Sequence, residues 1–239
     1  MKENYLNIPI ELCRYALSER CIKQVSLWIY LKSVTSGHFI LHDELKQNIL
    51  KVMGFKTSTT FKKHLKWLVE KKWITVNSIR ESYRLISFSQ LAGKLHFTNK
   101  QAAIFYPEMV HSIKGFCAGT VITYLANKNM RRLRRSASLK HEARMYYPYP
   151  HVTIYALSKF LSVPRSTAQR YKGIAKKNGF IKVVSMFDEL IHNAKDYYFI
   201  KRVGGEPVKS YKKINNKIYE QRPDKIIPNV KIKYKKNGH

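Results

Sequence analysis

Thr57 to Ile74 reads Thr-Ser-Thr-Thr-Phe-Lys-Lys-His-Leu-Lys-Trp-Leu-Val-Glu-Lys-Lys-Trp-Ile. The hydroxyl cluster predicts a helix start, with Ser58 or Thr59 capping the orphan amides of the first turn. Phe61, Leu65 and Leu68 fall at i, i+4 and i+7 and form one apolar stripe. At about 100° per residue, Thr59, Lys62, Lys63 and Lys66 face the other way. A strand-like run follows from Trp73 to Ile79, turns at Arg80-Glu81-Ser82 and returns through Tyr83–Phe88.

The pattern recurs from Pro164 to Ile181, Pro-Arg-Ser-Thr-Ala-Gln-Arg-Tyr-Lys-Gly-Ile-Ala-Lys-Lys-Asn-Gly-Phe-Ile. Pairing Ile74 with Ile181 also pairs Thr60 with Thr167, Lys63 with Arg170 and Trp73 with Phe180. Pro164 suits the first helical position, where its missing amide costs nothing. A short helix with a basic outer face, an apolar inner stripe and a hairpin behind resembles the recognition helix and wing of a winged helix-turn-helix. Ala156–Val163 resembles the preceding helix and turn of that family. Chains with two such units are similar to the Rep-type initiator proteins of plasmids and mobile elements, and to some transcription regulators. The resemblance covers residues 8 to 202 in outline.

The expected fold is therefore mainly α with small β-hairpin wings (α+β), two winged-helix units in tandem and a basic C-terminal tail. The first unit is placed at residues 1–93. Its opening helix falls within Glu11–Lys32, with Ile22, Val25 and Ile29 inside, and its second helix at Asp43–Met53 precedes a turn at Gly54. Residues 94–104 are the expected linker and 105–203 the second unit. Phe105-Tyr106-Pro107-Glu108-Met109 echoes Ile8-Pro9-Ile10-Glu11-Leu12, and Thr123-Tyr124-Leu125 echoes Ile29-Tyr30-Leu31. A basic insertion spans 129–150. The second wing is expected at Phe180–Ser185 and Asp196–Arg202, with a short helix at Met186–Ala194. From 204 to 239 the chain is Lys-rich, Pro-broken and weakly periodic, the mark of a flexible arm.

Charge selects the partner. The 239 residues carry 45 Lys and Arg against 15 Asp and Glu, a net charge of +30. Between Glu108 and Asp188 the only acid is Glu142. A merely soluble surface mixes both signs, whereas this one repels itself unless it meets a polyanion. No run approaches the ~18 apolar residues of a membrane span, the N-terminal Met-Lys-Glu-Asn is not a secretory leader, and no Lys/Arg-rich amphipathic anchor occurs. Three cysteines, Cys13, Cys21 and Cys117, form neither an even disulfide framework nor a C-x-x-C pair. They read as small buried hydrophobes in a reducing, cytoplasmic compartment. Lys, Asn and Ile content points to an AT-rich bacterial or phage genome and a nucleoid-associated protein.

The candidate DNA-binding residues are Thr59, Lys62, Lys63 and Lys66 on the first helix and Arg165, Ser166, Gln169, Arg170 and Lys176 on the second. Gln reads adenine and Arg reads guanine through paired hydrogen bonds. Arg80, Arg84 and Lys182 on the wings are candidate phosphate contacts, as are Arg131, Arg132, Arg134 and Arg135. Those four arginines either continue a helix along the backbone or slip into a minor groove. Trp67 reads as a packing residue. Gly173 serves close approach to DNA or to a neighbouring helix. His38 and His42 lack the companions of a metal site, and no nucleotide loop or paired-carboxylate centre is present. Neither metal, cofactor nor catalysis is expected. The partner is double-stranded DNA read by sequence, with partner proteins of replication or transcription. A non-catalytic architectural binder of DNA or RNA, with little sequence preference, is the alternative.

Overall fold

The computed structural model describes residues 5–137, 149–189, 210–214 and 217–233. Among the described residues it is mixed α and β, mostly helical with three small antiparallel sheets. Strand β1 (Leu6–Pro9) leads directly into α1 (Ile10–Ser18) and α2 (Ile22–Val34). The single helix expected over Glu11–Lys32 is thus two. The break falls at Arg20, which adopts a left-handed φ of 55°. α2 is the central helix of this half: Val25, Ser26, Leu27, Trp28, Ile29 and Leu31 are all buried, so its apolar residues surround it instead of forming one stripe.

β2 (His38–Ile40) is followed by α3 (Asp43–Met53), α4 (Ser58–Glu70), β3 (Ile74–Asn77) and β4 (Ser82–Leu85). The three strands form a sheet in the order β2-β4-β3. The cap of α4 is Thr57, whose Oγ1 accepts from the Thr60 N–H at 3.2 Å; Ser58 and Thr59 already lie inside the helix. Phe61, Leu65 and Leu68 are buried as the stripe requires.

The expected linker is ordered. Ser87 and Gln90 form a capping box that opens α5 (Phe88–Lys94). Leu91 is buried, and the Phe88 ring meets Trp28 edge-on at 4.9 Å. The Asn99 N–H then donates to Glu11 Oε2 at 2.7 Å. β5 (Ala102–Phe105) pairs antiparallel with β1, Leu6 opposite Phe105 and Ile8 opposite Ala103. A 3-10 turn at Pro107–Ser112 leads into the long α6 (Ile113–Ala137), which absorbs the Arg131–Arg135 cluster as a helix extension. Residues 138–148 of the expected insertion lie outside the described chain.

α7 (Ile154–Leu161), α8 (Arg165–Lys177) and β6 (Ile181–Glu189) follow. Pro164 is the N-cap of α8, one residue before the position expected for it. The short helix expected at Met186–Ala194 is absent as far as Glu189, where the chain is strand; residues 190–194 and the return at Asp196–Arg202 lie outside the described residues. The strand that pairs with β6 comes from the region expected to be a tail. β7 (Ser210–Ile214) and β8 (Lys217–Pro228) form a sheet in the order β6-β8-β7, and β9 (Ile232–Lys233) adds to β5. Ile226 is fully buried and Val230 nearly so. Lys172 of α8 reaches Asp224 at 2.6 Å. Residues 217–233 are part of the second half, not an appendage to it.

The two halves follow one plan. α4 and α8 each have 13 residues and lie in the register that pairs Ile74 with Ile181. Their C-terminal hydrogen bonds repeat one for one: Trp73 N–H to Leu68 O at 2.8 Å and Phe180 N–H to Ala175 O at 3.0 Å, Lys71 to Trp67 and Asn178 to Ile174. Left-handed residues recur at Lys72 and Gly179, and at Gly54 and Ser162 in the turns before the two helices. His151 makes a bridge to Lys225 of β8, in the place where β2 joins β4.

One apolar core runs through both halves. Cys13, Cys21 and Cys117 are free and buried in it. The neighbouring Cys13 thiol and then burial push the Cys117 thiol well up, and burial pushes Cys21 to about 12. Three polar contacts pin α1 to the second helix pair. The Tyr171 hydroxyl donates to Leu17 O at 3.0 Å, Ser18 Oγ to Leu161 O at 2.7 Å and Arg14 Nε to Phe160 O at 3.0 Å. Each occupies a carbonyl at the end of a helix, where no backbone donor is available. Among the described residues no helix is long and apolar enough to cross a membrane.

Candidate nucleic-acid interface

The amphipathic pattern of α4 leaves Thr59, Lys62, Lys63 and Lys66 exposed on its outer face. Lys66 leans on Glu70 at 3.9 Å, an exposed i,i+4 pair that contributes little. Arg165, Ser166, Gln169, Arg170 and Lys176 are likewise exposed on α8. Within each helix, the residues expected from sequence share one face. Trp67 is inside, with its ring 5.6 Å from Trp73.

Two further cations were not visible in either helix: Lys23 of α2 stands beside α4 and Lys114 of α6 beside α8. The half-buried His64 of α4 is held below its ordinary pKa by burial and by the charges of Lys23 and Lys63. Lys114 is lowered by burial and by the charges of Arg170 and Lys23. Each lysine lies near an aromatic ring: Lys23 Nζ stands 5.8 Å from the Phe55 ring, and Lys114 Nζ stands 5.6 Å from the Tyr171 ring. Phe55 in turn stacks on His64 at 5.2 Å. Like charges gathered on one surface repel one another, and a polyanion removes that cost.

Tyr155 is a second addition. It is exposed at the start of α7, and the Arg165 guanidinium lies 5.2 Å from its ring. This pairing fixes the direction of Arg165 at the opening of α8. Position 155 reads as an ordinary helix residue in sequence; only the fold brings it beside Arg165.

Arg80 and Arg84 are exposed on the first hairpin, and Lys182 on β6. Arg131 and Arg132 are exposed on the far part of α6; Arg134 and Arg135 follow on the same helix. An open cleft of about 440 Å³ lies against that stretch, lined by Gln101, Tyr124, Asn127, Lys128, Arg131 and Arg132 among others. Its cations and side-chain amides suit a sugar–phosphate strand.

Gly173 has open space around the position a Cβ would take. It does not serve helix packing. The close approach falls to Gly115 and Gly119 of α6, where a Cβ would lie 2.5 Å from Asn178 Oδ1 and 2.5 Å from Phe180 Cβ. Those two glycines seat α6 against the end of α8 and so fix the angle at which the outer face of α8 is presented.

Among the described residues no group of three or more His, Cys, Asp or Glu could hold a metal ion. His38 and His42 are both exposed, and His42 Nδ1 lies 3.1 Å from Ile40 O. Comparison with protein-family models, curated proteins and solved structures gives no match for the chain.

Proposed function

We propose that this protein binds double-stranded DNA and reads its sequence through two winged helix-turn-helix units, without catalysis, as a replication initiator or a transcription regulator. The observation that carries the reading is the pair of exposed polar and basic faces on α4 and α8, two helices of 13 residues each. Each helix follows a tight turn and precedes a hairpin, the arrangement in which a recognition helix enters a major groove. Arg170 and Gln169 supply donors and acceptors for base edges, whereas the first helix offers mainly lysines, which contact phosphate without reading bases. Because the halves share one core, they present their helices at a fixed spacing.

The test is selection of duplexes from a random pool, followed by footprinting of the wild type and two variants. Arg170→Ala should cost about 1–3 kcal/mol and relax one half of the site. Lys63→Ala should weaken the other half with a smaller change in preference. Affinity of the wild type should fall by roughly 10³–10⁵ between about 50 and 200 mM salt if about 6–10 phosphates are contacted. A flat salt response removes the nucleic-acid reading. Equal affinity for selected duplex, random duplex and structured RNA leaves the architectural alternative in its place.

A further inference from the structure

The turn between β3 and β4 breaks a local rule. Residues 78–81 make the reversal, and turns of this kind favour Gly, Asn, Asp and Ser. Position 79 is instead isoleucine, with 95 % of its surface exposed, the most exposed of the large hydrophobic residues described. It packs on nothing that would explain its cost in water. Its backbone is nevertheless well held. Asn77 Oδ1 accepts from the Ile79 N–H at 3.1 Å and from the Arg80 N–H at 3.2 Å, and Glu81 closes the reversal with a left-handed φ of 46°. Asn77 and Ser82 pair across the base of the turn. The tip is thus a rigid loop that presents one bare apolar side chain, with Arg80 beside it and Arg84 on the adjoining strand. Glu81 is the only acid between Ile74 and Leu85, so the hairpin stays positive.

Resting on the DNA-binding reading above, we infer that Ile79 is a wedge that enters the minor groove and partly unstacks a base step, so that the protein bends its DNA. Branched apolar side chains on a positively charged, preorganised tip do this in minor-groove binders, and the resulting kinks run from about 20 to 90°. Arg80 and Arg84 hold the phosphates on either side while the side chain replaces water with base faces. The bend has a sequence consequence. The step beneath Ile79 should be pyrimidine–purine, the kind most easily unstacked, although no hydrogen bond reads it. The second hairpin, whose strand β8 runs for 12 residues and is flanked by β7, is built for a different contact.

The experiment uses the full chain on a duplex selected by the wild type, labelled at both ends for energy transfer and carrying 2-aminopurine at successive steps. Wild type should shorten the end-to-end distance and brighten 2-aminopurine at one step. Ile79→Ser should abolish both signals and lower affinity about tenfold, yet keep the base preference set by Arg170. Ile79→Phe should retain them. Because Ile79 is fully outside the core, both variants should melt with the wild type. If Ile79→Ser binds and bends as the wild type does, the wedge is wrong and the DNA-binding reading stands. If Ile79→Ser instead changes only the oligomeric state, the tip is a protein contact and the wedge is again wrong. If the wild type binds no duplex, both inferences fall together.

Discussion

The two halves solve the same packing problem with different materials. In the first, aromatic rings fill the space behind the exposed helix: Trp73 meets Trp28 at 5.7 Å, Trp67 at 5.6 Å and Tyr15 at 5.9 Å. In the second, Phe180 still meets Phe116 at 5.8 Å, but two glycines remove part of the space. Aligning Tyr30 with Tyr124 places Gly119 where the first half has Val25, and Gly115 where it has Cys21. With no side chains there, α6 moves in until it touches Asn178 and Phe180. The plan is thus set by the turns, caps and strand order, which recur, more than by the identity of the core residues, most of which differ. The first half depends on volume it must keep filled; the second depends on volume it must keep empty.

The largest effect should come from removing residues 210–239. The chain would lose β8, the pairing partner of the whole of β6, together with Ile226, Val230 and the Asp224 partner of Lys172. Loss of the cooperative melt by circular dichroism is expected. An unchanged melt would show that the second half closes without its hairpin and that its likeness to the first is superficial.

Next come two substitutions that should behave oppositely to their chemistry. Trp73→Ala deletes a fully buried ring and should cost about 3–5 kcal/mol. Gly119→Ala only adds a methyl group, in a helix that intrinsically favours alanine, yet it should cost about 1–3 kcal/mol because Phe180 stands in the way. Denaturant melts of both would measure the contrast. A neutral Gly119→Ala would mean that α6 is free to withdraw from α8.

Gly173→Ala is the control within the second half. Its site is open and helical, so folding should gain about 1 kcal/mol. If the outer face of α8 enters a groove closely, the same change should weaken binding while it raises the melting temperature. A rise in both would locate Gly173 away from the DNA.

The smallest effect is a pH dependence confined to the first half. Burial and neighbouring lysines hold His64 below its ordinary pKa, so the unfolded chain binds its proton more readily than the folded one. Stability should be complete above the unfolded value and should decline as pH falls through it toward the lower folded value. Bound phosphates favour the protonated form, so DNA affinity should rise over the same interval. His64→Asn should flatten both slopes, whereas the counterpart Tyr171→Phe should leave them intact.

Much of the plan was legible because helical periodicity is local. Phe61, Leu65 and Leu68 announce α4, and the offset from Lys63 to Arg170 survives intact in the fold. α5 was written plainly in the capping box Ser87-Phe88-Ser89-Gln90, but a turn-rich neighbourhood masked it. The hairpin of the second half was hidden for a physical reason. β8 contains Pro223, which argues against a central strand. The register shows why it is tolerated: Val184 faces Lys225 while Met186 faces Arg222. Pro223 and Asp224 occupy the irregularity between, where a missing amide breaks no ladder bond. Lys23 and Lys114 were invisible for another reason. They come from α2 and α6, and only tertiary packing brings Lys23 beside α4 and Lys114 beside α8.

The sheet β1-β5-β9 joins segments that leave the ribosome at very different times. Residues 102–105 and 232–233 are separated by most of the second half, and synthesis at about 5–20 residues per second puts several seconds or more between them. During that interval β1 already covers one edge of β5, while the other stays bare and able to pair with any passing strand. Its residues are Ala102, Ala103, Ile104 and Phe105, apolar and uncharged. The nascent chain is therefore most exposed to mispairing at a site that the finished protein seals with only two residues, Ile232 and Lys233.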